Sequence, residues 1–309
     1  METNLNDLVE RDRVSRRLYT DPEIFEEEQR RIFGRVWLWL GHESQLKNNG
    51  DFFTTRMGRN RVIVARHQDG KIYAFHNRCT HRGAEVCSEN SGNTSHFVCP
   101  YHAWTYRTDG SLKTVPLRKG YEEGFDERVS KLALEPVARL GTYRGFIFGC
   151  NSAKGEDLET YLGPEVCAAF DNFTDRSPDG TIEMAGGTTV QRYRGNWKLQ
   201  IENSIDLLHP LILHQSAVDA ADRIDHGDSE PSIEWDTVMA NGLSFSEWDQ
   251  LRVAALPRGH CWMGGFLTKA IDEDAGGNVT EPSGWRALQA EYQQIMIGEY
   301  GVARANEIL

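Results

Sequence analysis

The stretches NRCTHRGAEVC (residues 77–87) and FVCPYHAWTY (residues 97–106) decide how this chain of 309 residues is interpreted. Each stretch pairs one cysteine with one histidine, and seventeen residues separate the two pairs. The four candidate ligands are Cys79, His81, Cys99 and His102. The spacing is Cys-x-His in the first pair and Cys-x2-His in the second, which predicts a metal site built from two short loops.

Two thiolates and two imidazoles are the ligand set of a Rieske [2Fe–2S] cluster, in which two cysteines bind one iron and two histidines bind the other. Neutral imidazoles make the cluster less negative and raise its reduction potential to roughly −150 to +300 mV. A zinc finger competes with this interpretation, although its ligands come at different spacings. Chance proximity of core thiols and surface histidines, or an ordinary hairpin loop, are further alternatives. Cys87 is interpreted as a buried thiol, because the quartet is complete without it.

The segment around both pairs is predicted to be antiparallel β structure. Asp69-Gly70 and Asp109-Gly110 each separate two β-rich runs, which is typical of hairpins. The run TYRGFIFGC at residues 142–150 is predicted as one further strand. Residues 20–40 have apolar residues at helical spacing and are predicted as a helix capped by Thr20.

At these motifs the chain resembles a known family. CTHRG and CPYHAWTY resemble the two halves of the Rieske motif in the large (α) subunits of Rieske-type non-haem iron aromatic-ring-hydroxylating dioxygenases. Respiratory Rieske proteins usually add a disulfide between the loops, and this sequence has no second cysteine near Cys99. YTDPEIFEEEQRRIF, GHESQ and GDFFTTRMGR are most similar to the benzoate, cumate and anthranilate group, so the resemblance implies an aromatic carboxylate as substrate.

The resemblance also assigns roles around the quartet. Gly83 and Pro100 would shape the two loops, and Tyr101 and Trp104 would shield the cluster.

The stretch NWKLQIENSIDLLHPLILH (residues 196–214) resembles the mononuclear-iron motif of the same family, N-x2-D-x2-H-x4-H. The matching residues are Asn203, Asp206, His209 and His214. A non-haem Fe(II) oxygenase binds its metal with two histidines and one carboxylate on one face. By resemblance, His209 and His214 are the histidine ligands and Asn203 lies near the open side of the iron. Asp206 would bridge His209 to His102 of a neighbouring subunit.

The spacing of the two histidines requires a break in the helix. Residues five apart on a regular helix point about 140° apart, and Pro210 favours a break directly after His209. Asp206 precedes His209 by one turn and is predicted to lie on the same helix face. Taken alone, an amphipathic helix with two surface histidines explains this stretch equally well.

The resemblance implies an α+β fold, with an antiparallel Rieske [2Fe–2S] domain inserted in a helix-grip catalytic domain. We divide the chain into an N-terminal helical part of the catalytic domain (1–40), the Rieske domain (41–155) and a partial catalytic domain (156–309). The third iron ligand of the family is an aspartate further toward the C-terminus, and no aspartate up to Leu309 has a matching context. We therefore expect a truncated chain, with this ligand beyond residue 309.

Beyond residue 180 the elements are predicted from local pattern. Residues 181–196 are predicted as strand and 197–209 as helix. Strands are also predicted around 233–250 and 260–269, and a final helix from Ser283 onward.

The function implied by the resemblance is that of the terminal oxygenase in a multicomponent system. Electrons from NAD(P)H would arrive through a ferredoxin or a flavin reductase, enter the Rieske cluster, and reach a mononuclear Fe(II) that activates O₂ to hydroxylate an aromatic ring. Family members form homotrimers, or α₃β₃ assemblies with a small β subunit. A Rieske electron-transfer module, an inactive fragment and a structural zinc protein are the alternatives.

Composition narrows the classes of partner. The net charge of −12, with Lys and Arg dispersed, disfavours nucleic acid. We find no secretory signal and no apolar stretch long enough to span a bilayer, so a soluble, cytoplasmic protein is expected. The six cysteines are then thiols or metal ligands. No GxGxxG or GxxxxGK[ST] motif occurs, which fits a separate reductase.

Overall fold

A computed structural model describes residues 5–184, 187, 189–206, 209, 213, 252–264, 272–273, 279–280 and 285–308. The chain divides into two compact units. The first comprises Met1–Cys167 and Thr181–Gln191, and the second comprises Ala168–Gly180 and Arg192–Leu309.

The first unit combines short helices with antiparallel strands. Its helices are α1 (Arg17–Thr20), α2 (Pro22–Glu28) and α3 (Phe125–Arg128). Its strands are β1 (Leu38–His42), β2 (Asp51–Met57), β3 (Asn60–Arg66), β4 (Ile72–His76), β5 (Ser91–Asn93), β6 (His96–Val98), β7 (Thr105–Arg107), β8 (Leu112–Thr114), β9 (Arg139–Tyr143) and β10 (Phe146–Cys150). They form three sheets, with strand orders β4-β3-β2-β5, β6-β7-β8 and β1-β10-β9. The hairpins predicted at the two Asp-Gly turns are therefore confirmed as β3-β4 and β7-β8.

The N-terminal helical segment ends earlier than predicted. A π-helical turn at Gln29–Phe33 follows α2, and Leu38 already belongs to strand β1. Leu38–His42 pairs antiparallel with β10, leaving Trp39 48% exposed and Leu40 4% exposed. The prediction of helix up to Leu40 was wrong for this reason.

The cap of α2 also differs from the prediction. Asp21, rather than Thr20, is the N-cap, and its side chain accepts a hydrogen bond from the Glu23 backbone N–H at 3.0 Å. The Arg17 side chain and then the Glu23 N–H hold the pKa of Asp21 below its usual value. Pro22 at the first helical position fits this start.

Strand β3 is buried on both faces. Val62 and Val64 point into one hydrophobic cluster, whereas Ile63 and Ala65 point into another. All four are 0% exposed, which explains why the run VIVA is continuously apolar. The cluster on the Ile63 side also contains both motif cysteines.

The segment 142–150 forms a hairpin rather than the single predicted strand. Arg144 (φ 49°) and Gly145 (φ 84°) both adopt positive φ between β9 and β10. Two such residues form the two-residue turn whose twist matches antiparallel strands. The prediction was wrong because Arg-Gly lacks the usual Asn or Asp signal.

The second unit contains most of the remaining elements. These are α4 (Leu158–Asp175), which begins in the first unit, α5 (Trp197–Ser204), β11 (Arg252–Ala255), β12 (Cys261–Gly264), β13 (Asp272–Glu273), β14 (Val279–Thr280) and α6 (Trp285–Ile308). Helix α6 packs through buried Met296, and its Arg304 forms an ion pair with Asp175 at 2.6 Å. The predicted final helix is confirmed. With the antiparallel sheets, these elements give the predicted α+β class.

Two other predictions beyond residue 180 have different outcomes. The described residues of 181–196 carry no strand, so that prediction was wrong for them. Glu183 is held instead by Lys47 Nζ at 2.8 Å, and the Met184 N–H donates to Ser44 Oγ at 3.0 Å. Residues 233–250 lie outside the described part of the chain.

Candidate metal centres

Both Cys–His pairs lie on loops at strand ends of the first unit. Cys79 comes three residues after β4, and Cys99 directly follows β6. We call residues 79–84 the first ligand loop and residues 99–104 the second ligand loop.

The two ligand loops share one backbone hydrogen-bond frame. In each, the cysteine N–H donates to the carbonyl five residues on, Ala84 or Trp104, at 2.8 Å. The N–H four residues on, from Gly83 or Ala103, donates back to the cysteine carbonyl at 2.8 and 2.9 Å respectively.

Each frame also has a left-handed residue at the same position. Gly83 has φ 79° and Ala103 has φ 55°. The expected shaping role of Gly83 fits this geometry, while the counterpart in the second loop is Ala103 rather than Pro100.

The cysteines of both loops are buried. Cys79 is 3% exposed and Cys99 is 2% exposed. Burial raises the pKa of the Cys79 thiol, and hydrogen bonds from Tyr106 and from the His81 backbone oppose that rise. A coordinating metal deprotonates such a thiol.

The histidines of both loops are half-buried and adjacent to each other. The rings of His81 and His102 have centroids 4.8 Å apart at 78°. Burial, followed by the charges of His102 and Arg82, lowers the pKa of His81, which favours the neutral ring that binds a metal.

Two aromatic rings flank the histidine pair. Trp104 is buried and stacks on His81 at 4.8 Å. The ring centroids of Tyr101 and His102 are 4.1 Å apart, and Tyr101 is 64% exposed, so it covers the outer side of the histidine pair.

Asn77 and Tyr106 are site residues that the sequence analysis missed. Asn77 is buried; its Oδ1 accepts the Val86 and Cys87 N–H groups at 3.0 and 2.9 Å, and its Nδ2 donates to the Cys87 carbonyl at 2.6 Å. The Tyr106 hydroxyl lies 3.1 Å from Cys79 Sγ. Two sequence features could have indicated these residues: an asparagine directly after a strand, and a tyrosine in a buried strand. Polar groups of this kind need hydrogen-bond partners when they are buried.

The residues present fit a [2Fe–2S] cluster. Two buried thiols lie on loops that also bring two imidazoles together, and each iron would take two protein ligands. Among the residues that the structure describes, no three His, Cys, Asp or Glu side chains converge as a site for one ion. Cys87 is buried, and its thiol faces the Glu89 carbonyl at 3.9 Å.

The second motif is only partly visible. Asn203 lies in α5, and Asp206 and His209 follow it, whereas His214 lies outside the described residues. Asp206 Oδ2 is 3.5 Å from His209 Nδ1, and Asp206 Oδ1 accepts the His209 backbone N–H at 3.4 Å.

The pairing of Asp206 with His209 arises differently from the prediction. Helix α5 ends at Ser204, before Asp206, so a shared helix face does not bring the two together. The carboxylate instead bonds the N–H three residues on, which is the pattern of an N-cap.

An antiparallel unit with two matched Cys–His loops defines a Rieske domain, and the family model described as the Rieske [2Fe-2S] domain matches residues 36–132. This is the class of domain that binds a [2Fe–2S] cluster.

Among relatives, the alpha subunit of toluate 1,2-dioxygenase from Pseudomonas putida is 39% identical over 218 residues, which are 68% of this chain and 47% of that protein. The large subunit of anthranilate 1,2-dioxygenase from Acinetobacter baylyi is 38% identical over 227 residues, 73% of this chain and 47% of that protein. The chain spans about half the length of these curated relatives.

Solved structures agree with these relatives. Naphthalene 1,2-dioxygenase from Rhodococcus sp. bound to indole has a TM-score of 0.62 and 36% identity, and the match covers 70% of this chain and 48% of that one. A second naphthalene 1,2-dioxygenase structure, with indole in its active site, has a TM-score of 0.64 and 27% identity over 92% of this chain and 60% of that one. The chain is thus a relative of the large subunits of Rieske-type aromatic-ring-hydroxylating dioxygenases.

In the part of the chain that the structure describes, no helix combines the length and apolar character needed to cross a bilayer.

Proposed function

We propose that this chain acts in the terminal oxygenase of a multicomponent aromatic-ring dioxygenase. The observation that carries the proposal is the pair of matched ligand loops, with buried thiols and adjacent imidazoles. In this proposal the cluster ligands are Cys79, His81, Cys99 and His102. The domain division at residues 40 and 155 belongs to the same proposal.

The residues of the first unit would bind and orient the cluster. Cys79 and Cys99 would hold one iron from the buried side, and His81 and His102 would hold the other from the half-exposed side. Trp104 fixes the plane of the His81 ring by stacking on it. When bound, such a cluster supplies one-electron transfer, and a ferrous ion supplies O₂ activation.

The second motif would hold the ferrous ion through His209 and His214. Asp206 already accepts the His209 backbone N–H and faces its ring, so it would fix the orientation of that imidazole. The side chain of Asp206 is 48% exposed. In the proposed trimer, this carboxylate would also accept a hydrogen bond from His102 of a neighbouring subunit. Asn203, three residues before Asp206, would lie beside the open side of the iron.

An aromatic carboxylate is the proposed substrate class. Three of the relatives are named after aromatic carboxylates, namely toluate, anthranilate and 2-halobenzoate. Electrons would come from a ferredoxin or flavin reductase, and a small β subunit would complete the assembly. The proposed location is the cytoplasm, where cysteines such as these six, none of which forms a disulfide in the structure, would stay reduced or bind metal.

The test is metal and sulfide analysis of the full chain after anaerobic iron reconstitution. We expect visible absorption, inorganic sulfide and a Rieske-type EPR signal, all lost in Cys79→Ser. Cys87→Ser is the matched control, because Cys87 is also buried in the same segment, and it should keep the cluster. Colourless protein without sulfide, or equal loss in both variants, would contradict the proposal.

The same preparation separates an oxygenase from an electron carrier. In an oxygenase that has its third iron ligand, His209→Ala should remove one iron and leave sulfide unchanged. A carrier would show the same iron content with and without this substitution.

A further inference from the structure

The hydroxyl of Tyr106 lies at a junction of three polar contacts. Tyr106 is 0% exposed, and its oxygen is 3.1 Å from Cys79 Sγ, 3.0 Å from Thr80 Oγ1 and 3.2 Å from the Thr80 backbone nitrogen. Thr80 Oγ1 also lies 2.7 Å from the Leu132 carbonyl oxygen.

The direction of each hydrogen bond follows from a count of protons. A backbone carbonyl only accepts, so the single proton of the Thr80 hydroxyl is donated to Leu132. At the contact between Thr80 Oγ1 and the Tyr106 hydroxyl, Tyr106 must then be the donor. The Thr80 N–H donates to the Tyr106 oxygen.

The Tyr106 proton therefore has two acceptors. A metal-bound Cys79 is a thiolate and only accepts, so Tyr106 must donate to Cys79 Sγ as well as to Thr80 Oγ1.

We infer that Thr80 is a positioning residue that competes with Cys79 Sγ for the single proton of the Tyr106 hydroxyl, and so weakens the hydrogen bond to the sulfur. The inference rests on the proposed function, because it requires that Cys79 binds the cluster. Hydrogen bonds to cluster sulfurs set the reduction potential. A donor to the sulfur favours the reduced cluster, which carries more negative charge.

The experiment is a potentiometric titration of the reconstituted full chain, with EPR of the reduced cluster as the readout. Thr80→Val removes the competing acceptor at nearly constant volume, so we expect the midpoint potential to rise. The expected change is up to about tenfold in the reduction equilibrium, which is about 59 mV for one electron. Tyr106→Phe should lower the potential.

The double variant Thr80→Val/Tyr106→Phe decides whether the two residues act through one proton. We expect its potential to equal that of Tyr106→Phe alone, because Thr80 has nothing to compete for once the phenol is gone. Thr80→Ser keeps the hydroxyl and should restore the wild-type potential, and Thr80→Ala provides a second variant if valine prevents folding.

The outcomes separate this inference from the proposed function. An unchanged or lowered potential in Thr80→Val, or an equal rise in the presence and absence of Tyr106, would overturn the role of Thr80 while the cluster stands. Absence of any cluster from the wild-type chain would overturn both.

Discussion

Gly83 and Ala103 occupy equivalent left-handed positions in the two ligand loops, yet only one is glycine. A residue with a Cβ is destabilised by about 1–2 kcal/mol in a left-handed backbone conformation, whereas glycine is not. A Cβ on Gly83 would also lie 3.0 Å from Arg78 Nε, the end of a flexible side chain.

Exchanging these two residue types should have opposite effects on stability. We expect Gly83→Ala to lower the free energy of unfolding by about 1 kcal/mol, whereas Ala103→Gly should leave it unchanged or raise it by up to about 1 kcal/mol. Chemical denaturation of both variants measures the difference. A destabilising Ala103→Gly would show that the Ala103 methyl makes contacts that outweigh its backbone strain.

At the residue scale, the sequence points to candidate ligands more readily than to the residues that position their loops. Cysteine and histidine have a distinctive chemistry, so their spacing was enough to select Cys79 and His81 as candidates. Asn77 acts through main-chain groups of residues nine and ten positions away. An asparagine directly after a strand is a local signal, but it does not specify these partners, because the contact depends on the closed shape of the whole loop.

Among the elements, helix α6 shows how one dihedral angle decides where a helix breaks. The sequence contains Gly298 and Gly301, and either could interrupt the helix. The structure keeps Gly298 within the helix and places the break at Gly301, which has φ 77° and ψ 159°. A Cβ would meet no atom within 4 Å at either position.

This pair gives a matched test of backbone conformation. Gly298→Ala should stabilise the chain by roughly 0.5–1 kcal/mol, because alanine restricts the unfolded chain and favours helix. Gly301→Ala should destabilise it by about 1 kcal/mol or more, since the native φ is left-handed. Thermal unfolding monitored by helical circular dichroism distinguishes them, and equal shifts in both variants would refute the assignment of the break.

Element prediction succeeded where the turn residues were specific. Asp69-Gly70 and Asp109-Gly110 fixed two hairpins, since aspartate accepts local N–H groups and glycine adopts positive φ. Arg144 also adopts positive φ, but arginine is not a residue type that predicts this conformation. Similarly, residues 20–40 carried a helical pattern throughout, and the sheet pairing of β1 with β10 overrode it at the C-terminal end.

Over the whole molecule, charge is less evenly distributed than the sequence analysis assumed. Residues 52–121 contain eleven Lys or Arg and four Asp or Glu, in a chain of net charge −12. Arg78 and Arg82 are exposed beside the first ligand loop, and the Arg82 guanidinium lies 5.9 Å from the centroid of the Tyr101 ring. The field at the histidine pair is therefore expected to be positive, because charges beyond about 10 Å are screened at 0.1 M salt.

The sign of the salt dependence tests this local field. Given the proposed cluster, oxidation of the reduced protein by ferricyanide, a trianion, should slow as ionic strength rises. The net charge of the whole chain predicts the reverse. Stopped-flow rates with ferricyanide and with a cationic cobalt complex provide the comparison. Acceleration of the ferricyanide reaction by salt would show that the distant acidic residues dominate.

The repeated backbone frame of the two ligand loops separates chain geometry from ligand chemistry. The histidine follows its cysteine by two residues in one loop and by three in the other, while the main chain is arranged alike. The residue type at the two histidine positions can therefore be changed without altering this backbone arrangement. Cysteine at both histidine positions would give a site with four thiolate ligands, and [2Fe–2S] clusters of that type have reduction potentials of about −400 mV. The cluster held by this fold would then be a stronger reductant, and the backbone would need no redesign.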